Sequence, residues 1–241
     1  MKNSFKELFK TLLIAGSIAI FFRSIFFEPF NIPSGSMIPT LLVGDYLFVS
    51  KYSYGYSKYS FPFGLVPIKD RIFEKSPQRG DVIVFRKPGD ETIDYIKRLV
   101  ALPNDTVQVK AGVLYINSKK AQRTKTNIGI MKNIFGDEKI FTQYEETFGD
   151  SKTHQIIESS DNDPFDDTIL FKVPPNHFFF MGDNRDNSRD SRTPEVGFVP
   201  KKNLIGKAEI IFFSHNSSAS IFEFWKWHKA IRFSRIGKAI E

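Results

Sequence analysis

The sequence predicts a mainly β protein, in which an N-terminal transmembrane helix is followed by an antiparallel β-sheet domain with a smaller inserted β region. Three observations support this prediction. The chain of 241 residues has one long apolar run, which lies near its N-terminus. The remainder consists of short apolar runs separated by turns rich in glycine and proline, a pattern typical of antiparallel sheets. The chain has no cysteine, which excludes disulfides, thiolate catalysis and cysteine-ligated zinc.

Residues 11–27 form the predicted transmembrane anchor. No charge occurs from Thr11 to Phe22, and Arg23 follows in the last third, where its side chain can reach the headgroups. A helix of this length spans about 26 Å, close to the lower limit for a bilayer core. Residues 1–10 carry three lysines, which predict a cytoplasmic tail and an extracytoplasmic domain by the positive-inside rule.

Two other interpretations of this apolar run remain open in the sequence. A cleavable signal peptide has the same order of basic and apolar residues, but a small-residue cleavage site is expected to follow it. Here Arg23 is followed by bulky residues and then by Glu28 and Pro29. A buried helix of a soluble protein normally has a polar face, which this run lacks. An uncleaved anchor therefore fits the sequence best.

The core of the β domain is predicted to come from residues 28–106 and 176–215. Within these ranges, apolar runs bounded by turn residues predict short strands at Val82–Phe85, Ile93–Leu102 and Leu204–Phe213. The two ranges are separated in sequence, so the region between them is expected to be an insertion.

The insertion is predicted to cover residues 107–175, as a β and loop region. Its first part alternates between apolar and polar residues and turns at Ala111-Gly112, which indicates a β-hairpin. Residues 118–167 are more polar, and we expect exposed loops there.

Residues 216–241 form a basic C-terminal segment that also carries aromatic side chains. The net charge of the chain is +7, and most of it lies in the first ten residues and in this segment. Positive charge at the ends of the chain favours an anionic membrane surface and argues against a nucleic-acid partner. From Ile221 to Ile240 the composition is compatible with a helix in the membrane interface, with a helix packed on the body, or with a frayed tail.

Residues 34–40, Ser-Gly-Ser-Met-Ile-Pro-Thr, contain a candidate nucleophile a few residues beyond the apolar run. Ser36 lies between a glycine and a methionine on a turn that a proline closes. A serine hydroxyl needs a base at neutral pH. The four histidines have no recognisable motif around them, and the sequence has no His-Glu-x-x-His, Gly-x-Ser-x-Gly or Ser-x-x-Lys pattern.

Lys97 is the candidate base. It follows Tyr95-Ile96 and precedes an apolar strand, on which Arg98 points to the opposite face. The pKa of a lysine must fall by about three units from ~10.4 for the amine to act as a base near neutral pH, and burial among apolar groups lowers it in this way. Most lysines are solvated surface charges, so this assignment depends on the context of Lys97.

The segment from Gly182 to Arg192 alternates acidic and basic residues. Such a run is compatible with a solvated loop whose charges pair with each other, or with a buried polar network that orients catalytic groups. In the second interpretation Ser188 would hydrogen-bond the neutral lysine. The charged members of the network would be Asp183, Arg185, Asp190 and Arg192.

Together these segments resemble those of the bacterial type I signal peptidases, also called leader peptidases, from about residue 30 to residue 199. Pro33–Met37 resembles the nucleophile segment of that family, Arg79–Phe85 its central strand, Tyr95–Arg98 its general-base strand and Gly182–Arg192 its last segment. All four occur in the family order behind an N-terminal anchor, which makes the resemblance specific.

The resemblance implies a serine endopeptidase that removes signal peptides after small residues at positions −1 and −3, through an acyl-enzyme. Ser36 would be the nucleophile, Lys97 the base, and the Ser36 amide with the Ser34 hydroxyl the oxyanion hole. Ser188 would orient Lys97, and the charged residues of the last segment would brace the site. The positions that match substrate-binding residues are Phe30, Ile32, Met37, Leu41, Tyr95 and Ile96.

The resemblance also implies a location and partners. We expect no metal and no cofactor, membrane-inserted preproteins as substrates, contact with the lipid bilayer and the secretion machinery, and a single-pass protein of the plasma (inner) membrane. The chain departs from the family pattern at Ala101 and Asn104, where glycines are usual, and at Arg189. Two other function classes remain open, which are a membrane-tethered β domain that binds a partner and a self-cleaving Ser/Lys regulator.

Overall fold

The structure, a computed structural model, describes residues 2–61, 66–132, 138–149, 151–160, 163–216, 218–219 and 222–241. The central strands are β1 (Phe27–Asn31), β2 (Asp45–Ser50), β3 (Val82–Lys87), β4 (Asp90–Ala101), β12 (His177–Met181), β13 (Val199–Pro200) and β14 (Leu204–Ser214). Within the described residues they form one antiparallel sheet in the order β1-β2-β14-β3-β4-β12-β13. The predicted mainly β, antiparallel class is confirmed.

The N-terminal helix, α1, runs from Lys2 to Ile25. Its segment Phe5–Ile25 has a mean hydropathy of 1.7 and is almost entirely exposed in the structure, as expected of a surface that lipid covers. The helix begins within the range predicted as a tail and ends two residues before the predicted end of the anchor. The reason for the earlier end is that Phe27 already pairs with Ser50 in the sheet.

The central strand β3 is covered on both faces, which explains its run of four apolar residues. Val82 and Val84 lie in a core cluster with residues of β2 and β14, and the segment that follows β1 covers this cluster. Ile83 and Phe85 point to the other face, into a second cluster. Successive side chains of a strand alternate between faces, so a strand buried on both sides is apolar throughout.

The inserted region contains two further sheets. One is four-stranded, in the order β11-β5-β6-β7, and the other is three-stranded, in the order β10-β9-β8. The bounds of these strands are β5 (Thr106–Lys110), β6 (Val113–Ile116), β7 (Lys119–Lys120), β8 (Gln122–Lys132), β9 (Glu138–Thr147), β10 (His154–Glu158) and β11 (Phe171–Lys172). The predicted hairpin is present, since β5 and β6 pair across Ala111-Gly112, both with positive φ.

The prediction of exposed loops over residues 118–167 is wrong for most of that range. β8 and β9 form a long hairpin, and β10 adds a third strand. These strands escape sequence reasoning because much of the hairpin is exposed, so that polar residues replace the usual alternation. Residues 133–137, 150, 161 and 162 of this range lie outside the described residues.

The C-terminal segment does not form a long helix within the described residues. Its helix α2 covers only Trp227–Ala230. The following residues run back along the sheet, with bridges between His215 and Ile231 and between Ile210 and Ala239. Residues 217, 220 and 221 lie outside the described residues. The expectation of packing on the body therefore describes this segment better than an interfacial helix.

Asp45, at the start of β2, holds this segment in place. Its buried carboxylate accepts hydrogen bonds from Arg235 Nε at 3.0 Å and from Ser214 Oγ at 2.6 Å, and Arg232 lies at 3.5 Å. Burial would raise the pKa of the Asp45 carboxyl, but the hydrogen bonds from Arg235, Ser214 and the Leu42 amide hold that pKa below its usual value.

We expect Asp45→Ala to reduce the free energy of unfolding by about 3 kcal/mol, because it leaves two guanidinium groups without their buried partner. Chemical denaturation of the full chain in detergent measures this change. The matched control is Glu223→Ala in the same segment, which removes an exposed ion pair with Lys226 and should change the free energy by less than about 0.5 kcal/mol. Equal effects of the two substitutions would show that Asp45 does not hold the segment.

Candidate active site

The turn that carries Ser36 is fixed from both sides. On one side the fully buried side chain of Met37 packs in the core, and the Leu41 amide donates to the Met37 carbonyl at 2.8 Å. On the other side, Asn184 donates from its backbone amide to the Ser36 carbonyl at 3.1 Å, and from its side chain to the Gly35 carbonyl at 3.0 Å. The position of the Ser36 hydroxyl is therefore determined by the core and by the last segment together.

Lys97 reaches Ser36 from the strand β4. Its Nζ lies 2.7 Å from Ser36 Oγ and 2.9 Å from the Ile96 carbonyl oxygen, to which it donates. The residue is only 5% exposed. Burial lowers the pKa of the Lys97 ammonium to about 8, against the opposing effect of the Asp190 and Asp183 carboxylates. A lysine with this pKa is partly neutral near pH 7, and its amine can then accept a proton from the serine.

Arg98 points to the opposite side of β4 and binds Asp183. The guanidinium donates through Nε to Oδ1 at 2.8 Å and through Nη2 to Oδ2 at 2.7 Å, and both side chains are fully buried. Thr40 also donates to Asp183, at 2.5 Å. Burial would raise the pKa of the Asp183 carboxyl, but Arg98 holds it below its usual value. The strand of the lysine and the turn of the serine are thereby tied to one carboxylate.

The other charged residues of the last segment form two more buried pairs. Asp190 binds Arg192 through Nε at 2.9 Å and through Nη2 at 2.8 Å, and it also accepts from the Gly182 amide. Arg185 binds Glu146 of β9, with Nη1 2.9 Å from Oε1. The run is therefore a buried polar network, as the second interpretation of its sequence proposed.

Ser188 lies on the wall of the same cavity as Lys97, but the expected hydrogen bond between them is not formed in the structure. The hydrogen bonds of Lys97 Nζ in the described part of the chain run to Ser36 and Ile96, and not to the Ser188 hydroxyl. Ser34 is exposed, and its hydroxyl lies 3.4 Å from Ser36 Oγ. The Ser34 hydroxyl is thus close enough to Ser36 to face an oxyanion that forms on a carbonyl attacked by Ser36.

A cavity of about 580 Å³ opens over Ser36 and Lys97. Its walls are the serine turn (33–36), the middle of β4 (93–97), residues 186–189 and Phe165 from the inserted region. Along residues 94–96, β4 pairs with β3 on one side, whereas β12 pairs with β4 only from Arg98 onward. The cavity side of this stretch is thus an open strand edge within the described residues, which can pair with an extended peptide.

The predicted substrate-binding residues divide into two groups. Tyr95 and Ile96 line the cavity. Ile32, Met37 and Leu41 are instead buried in the core cluster, where they hold the serine turn against the sheet, and Phe30 packs partly buried beside them.

Three contributors to the site were not assigned by sequence reasoning. Arg98 adjoins the candidate lysine, but its partner Asp183 is 85 residues away, which no local pattern indicates. Glu146 lies in the polar insertion, where nothing in the sequence distinguishes it from surface acids. The signal available for Asn184 is its side-chain amide, whose two N–H donors can bind backbone carbonyls.

Comparison with known proteins identifies the family. The profile of the family described as "Signal peptidase, peptidase S26" matches residues 5–213. Signal peptidase I of Rickettsia typhi is 40% identical over an alignment of 251 positions, which covers 97% of this chain and 93% of the relative. Signal peptidase I of Rickettsia akari is 44% identical over 205 residues, covering 82% and 75%.

A solved signal peptidase I from Enterococcus faecalis V583 is also similar, with 25% identity and a TM-score of 0.32. The match covers 55% of this chain and 97% of that one.

The sequence matches define a serine peptidase, a hydrolase, and in this chain a β-sheet domain follows an apolar helix. Within this class, the chain belongs to the signal peptidase family, peptidase S26, whose similar members in Rickettsia are signal peptidases I.

Gly182 permits the close approach of the last segment to the serine turn. A Cβ at this position would overlap the Ser188 hydroxyl and the Ser36 carbonyl oxygen. We expect Gly182→Ala to lower the rate of peptide cleavage about 100-fold, since displacements near 1 Å at a nucleophile have effects of this size. Steady-state kinetics, with circular dichroism to verify the fold, measures the change.

The matched control is Gly89→Ala in the turn between β3 and β4, where a Cβ meets open space. Its positive φ will cost about 1 kcal/mol of stability, but its cleavage rate should remain near that of the unaltered protein. Unchanged cleavage by Gly182→Ala would show that the close packing of Gly182 against the serine turn does not determine the position of Ser36.

Proposed function

We propose that this protein is a membrane-bound endopeptidase that removes signal peptides with a Ser36/Lys97 dyad, cutting after small residues at −1 and −3. The observation that carries the proposal is the 2.7 Å contact between the Ser36 hydroxyl and a buried lysine amine. Membership of the family supports the general activity, which is cleavage of signal peptides by a serine peptidase. The dyad supplies the chemistry by which it would do so.

In the acylation step, neutral Lys97 accepts the proton of the Ser36 hydroxyl while Oγ attacks the carbonyl carbon of the scissile bond. The new C–O bond gives a tetrahedral oxyanion. Lys97 then returns the proton to the leaving amine as the C–N bond breaks. The products are an ester between Ser36 and the signal peptide, and the free N-terminus of the mature protein.

The oxyanion would be stabilised by the Ser36 amide and the Ser34 hydroxyl. Such donors contribute most when they are already oriented, and each is worth roughly 3 kcal/mol in related chemistry. The exposed position of Ser34, 3.4 Å from Ser36 Oγ, leaves its hydroxyl free to rotate toward a bound substrate.

In the deacylation step, Lys97 acts as the base a second time. It takes a proton from water as the water oxygen attacks the ester carbonyl, and it gives that proton to Ser36 Oγ as the ester bond breaks. The carboxylic acid of the signal peptide leaves, and the dyad returns to its starting state.

The specificity would follow from an extended substrate on the open edge of β4. Side chains of a strand at positions −1 and −3 point in the same direction, because the period of a strand is two residues. Both would therefore face the same wall, near Ile96 and the serine turn. A wall backed by buried apolar residues of the core cluster would favour small side chains at both positions.

The membrane arrangement completes the proposal. The exposed apolar helix α1 is long enough to cross a bilayer, and the lysines of residues 1–10 favour a cytoplasmic N-terminus. The β domain would then lie on the outer face of the plasma (inner) membrane, where preproteins emerge from the secretion machinery. Binding through the basic tail is less well supported, because Arg232 and Arg235 are engaged by Asp45.

The dyad is tested by Ser36→Ala and Lys97→Ala on a preprotein with an Ala-x-Ala site in detergent. The first should abolish cleavage, and the second should lower it about 1,000-fold because the base is lost. Lys97→Arg should be equally inactive, since a guanidinium does not release its proton near neutral pH. Lys58→Ala, which removes an exposed ion pair with Glu91, is the matched control, and near-full activity of Lys97→Ala would contradict the dyad.

The pH dependence of cleavage follows from the lowered pKa of Lys97. The pKa of Lys97 is lowered to about 8, and only the neutral amine is a base, so the activity is lost as pH falls through this value. We expect kcat/KM to rise about tenfold per pH unit at pH values well below the pKa and to level off above it. A rate profile that stays flat from about pH 6 to about pH 9 would exclude titration of the base in this range.

A further inference from the structure

The membrane helix is joined to the β domain by an ionic cluster, which we call the anchor joint and which consists of Arg23, Glu28 and Lys51. Arg23, in the last turn of α1, donates through Nε to Glu28 Oε1 at 2.8 Å. Glu28, on β1, binds Lys51 through Oε2, also at 2.8 Å. Lys51 then donates to the Ser60 carbonyl at 2.7 Å. None of these residues lines the cavity over the dyad.

Backbone and hydroxyl contacts reinforce the anchor joint. The Lys51 amide donates to the Phe26 carbonyl at 3.0 Å, and the Tyr56 hydroxyl donates to the Ile25 carbonyl at 2.9 Å. Ser24 is 4% exposed. Since Phe26 alone separates α1 from β1, the connection has no length of free chain in which to bend.

The burial of the three charges differs in a way that suits a membrane surface. The side chains of Lys51 and Glu28 are 3% and 12% exposed, whereas that of Arg23 is 60% exposed. In the proposed orientation, Arg23 lies where α1 leaves the hydrocarbon. The dielectric there is below that of water, so separating its guanidinium from Glu28 is more costly than on an ordinary protein surface.

The anchor joint also fixes the path to the nucleophile. β1 has five residues, about 16 Å of extended chain, and each of them pairs with β2. The serine turn follows directly and is held by the core and by Asn184. From the end of α1 to Ile32 the chain is therefore paired with β2 or buried in the core, and only residues 33–35 lie between this part and Ser36.

We propose that the anchor joint sets the height of Ser36 above the membrane and thereby selects which peptide bond of a membrane-inserted substrate is cut. This inference rests on the proposed function, because it requires α1 in the bilayer and a signal peptide as substrate. The apolar part of such a substrate is held in the same bilayer. A nucleophile at a fixed height can then reach only those bonds that lie at one distance from the membrane.

The test uses a preprotein with two successive Ala-x-Ala sites about six residues apart, roughly 20 Å in an extended chain, reconstituted in liposomes with the full-length enzyme. N-terminal analysis of the mature product gives the ratio of cuts at the two sites. A short peptide with one site is assayed in detergent as well. Because this peptide is not held in a bilayer, its cleavage reports the activity of the dyad independently of the height of Ser36 above the membrane. The variants are Arg23→Gln, Arg23→Lys and Glu28→Gln.

The unaltered enzyme should prefer one site. Arg23→Gln and Glu28→Gln should shift the ratio about fivefold toward the other site, the effect expected from loss of one ion pair, with little change in peptide cleavage. Arg23→Lys should restore the original ratio because it keeps the charge. Glu74→Gln, which breaks an ion pair with Lys201 that includes no residue of α1 or of the anchor joint, is the matched control and should leave the ratio unchanged.

Two results would overturn the inference. One is an unchanged ratio in both Arg23→Gln and Glu28→Gln, which would show that the anchor joint does not set the height. The other is a parallel loss of peptide cleavage in detergent, which would assign these residues to the stability of the domain. If the unaltered enzyme cut the preprotein at neither site, the proposed function itself would fail, which is a separate result.

Discussion

The bidentate pair between Arg98 and Asp183 is the interaction on which the rest of the site depends. Arg98 directly follows the candidate base Lys97 on β4. The pair with Asp183, which fixes the position of Arg98, therefore also fixes the backbone of Lys97. Asp183 begins the last segment and also binds Thr40, beyond the serine turn. One buried carboxylate therefore holds the three parts of the chain that meet at the cavity. Both charges are fully buried, and neither could remain so without the other.

Much of the fold is present in local sequence patterns. The buried runs of β3 and β4, the positive-φ turn at Ala111-Gly112 and the apolar helix could all be predicted, because each depends on residues that are near in sequence. The long hairpin β8–β9 could not, since its mostly polar strands are specified by pairing with each other. The C-terminal segment leaves three interpretations open for a related reason. Its composition does not show that two of its basic residues are partners of Asp45, nearly two hundred residues upstream.

The candidate site shows the same division. Ser36 and Lys97 can be proposed from their context, and the structure brings them together. Local sequence patterns do not show which residue, distant in sequence, forms an ion pair or a packing contact with a given side chain. The pairing of Arg185 with Glu146, rather than with a neighbouring aspartate, depends on where β9 lies. The burial of Met37 and Leu41 likewise depends on the sheet beneath the serine turn, so positions that resemble a pocket in sequence become part of the core.

The strand order of the central sheet has a consequence for the timing of activity. β14, residues 204–214, lies between β2, which adjoins the strand leading to Ser36, and β3, which pairs with the strand of Lys97. Residues 204–214 are made after both the serine turn and the strand of Lys97, and these two parts of the chain have no shared sheet until β14 inserts between them. A chain without β14 therefore lacks the strand that joins the two sides of the candidate dyad, and assembly of the site waits for this late strand.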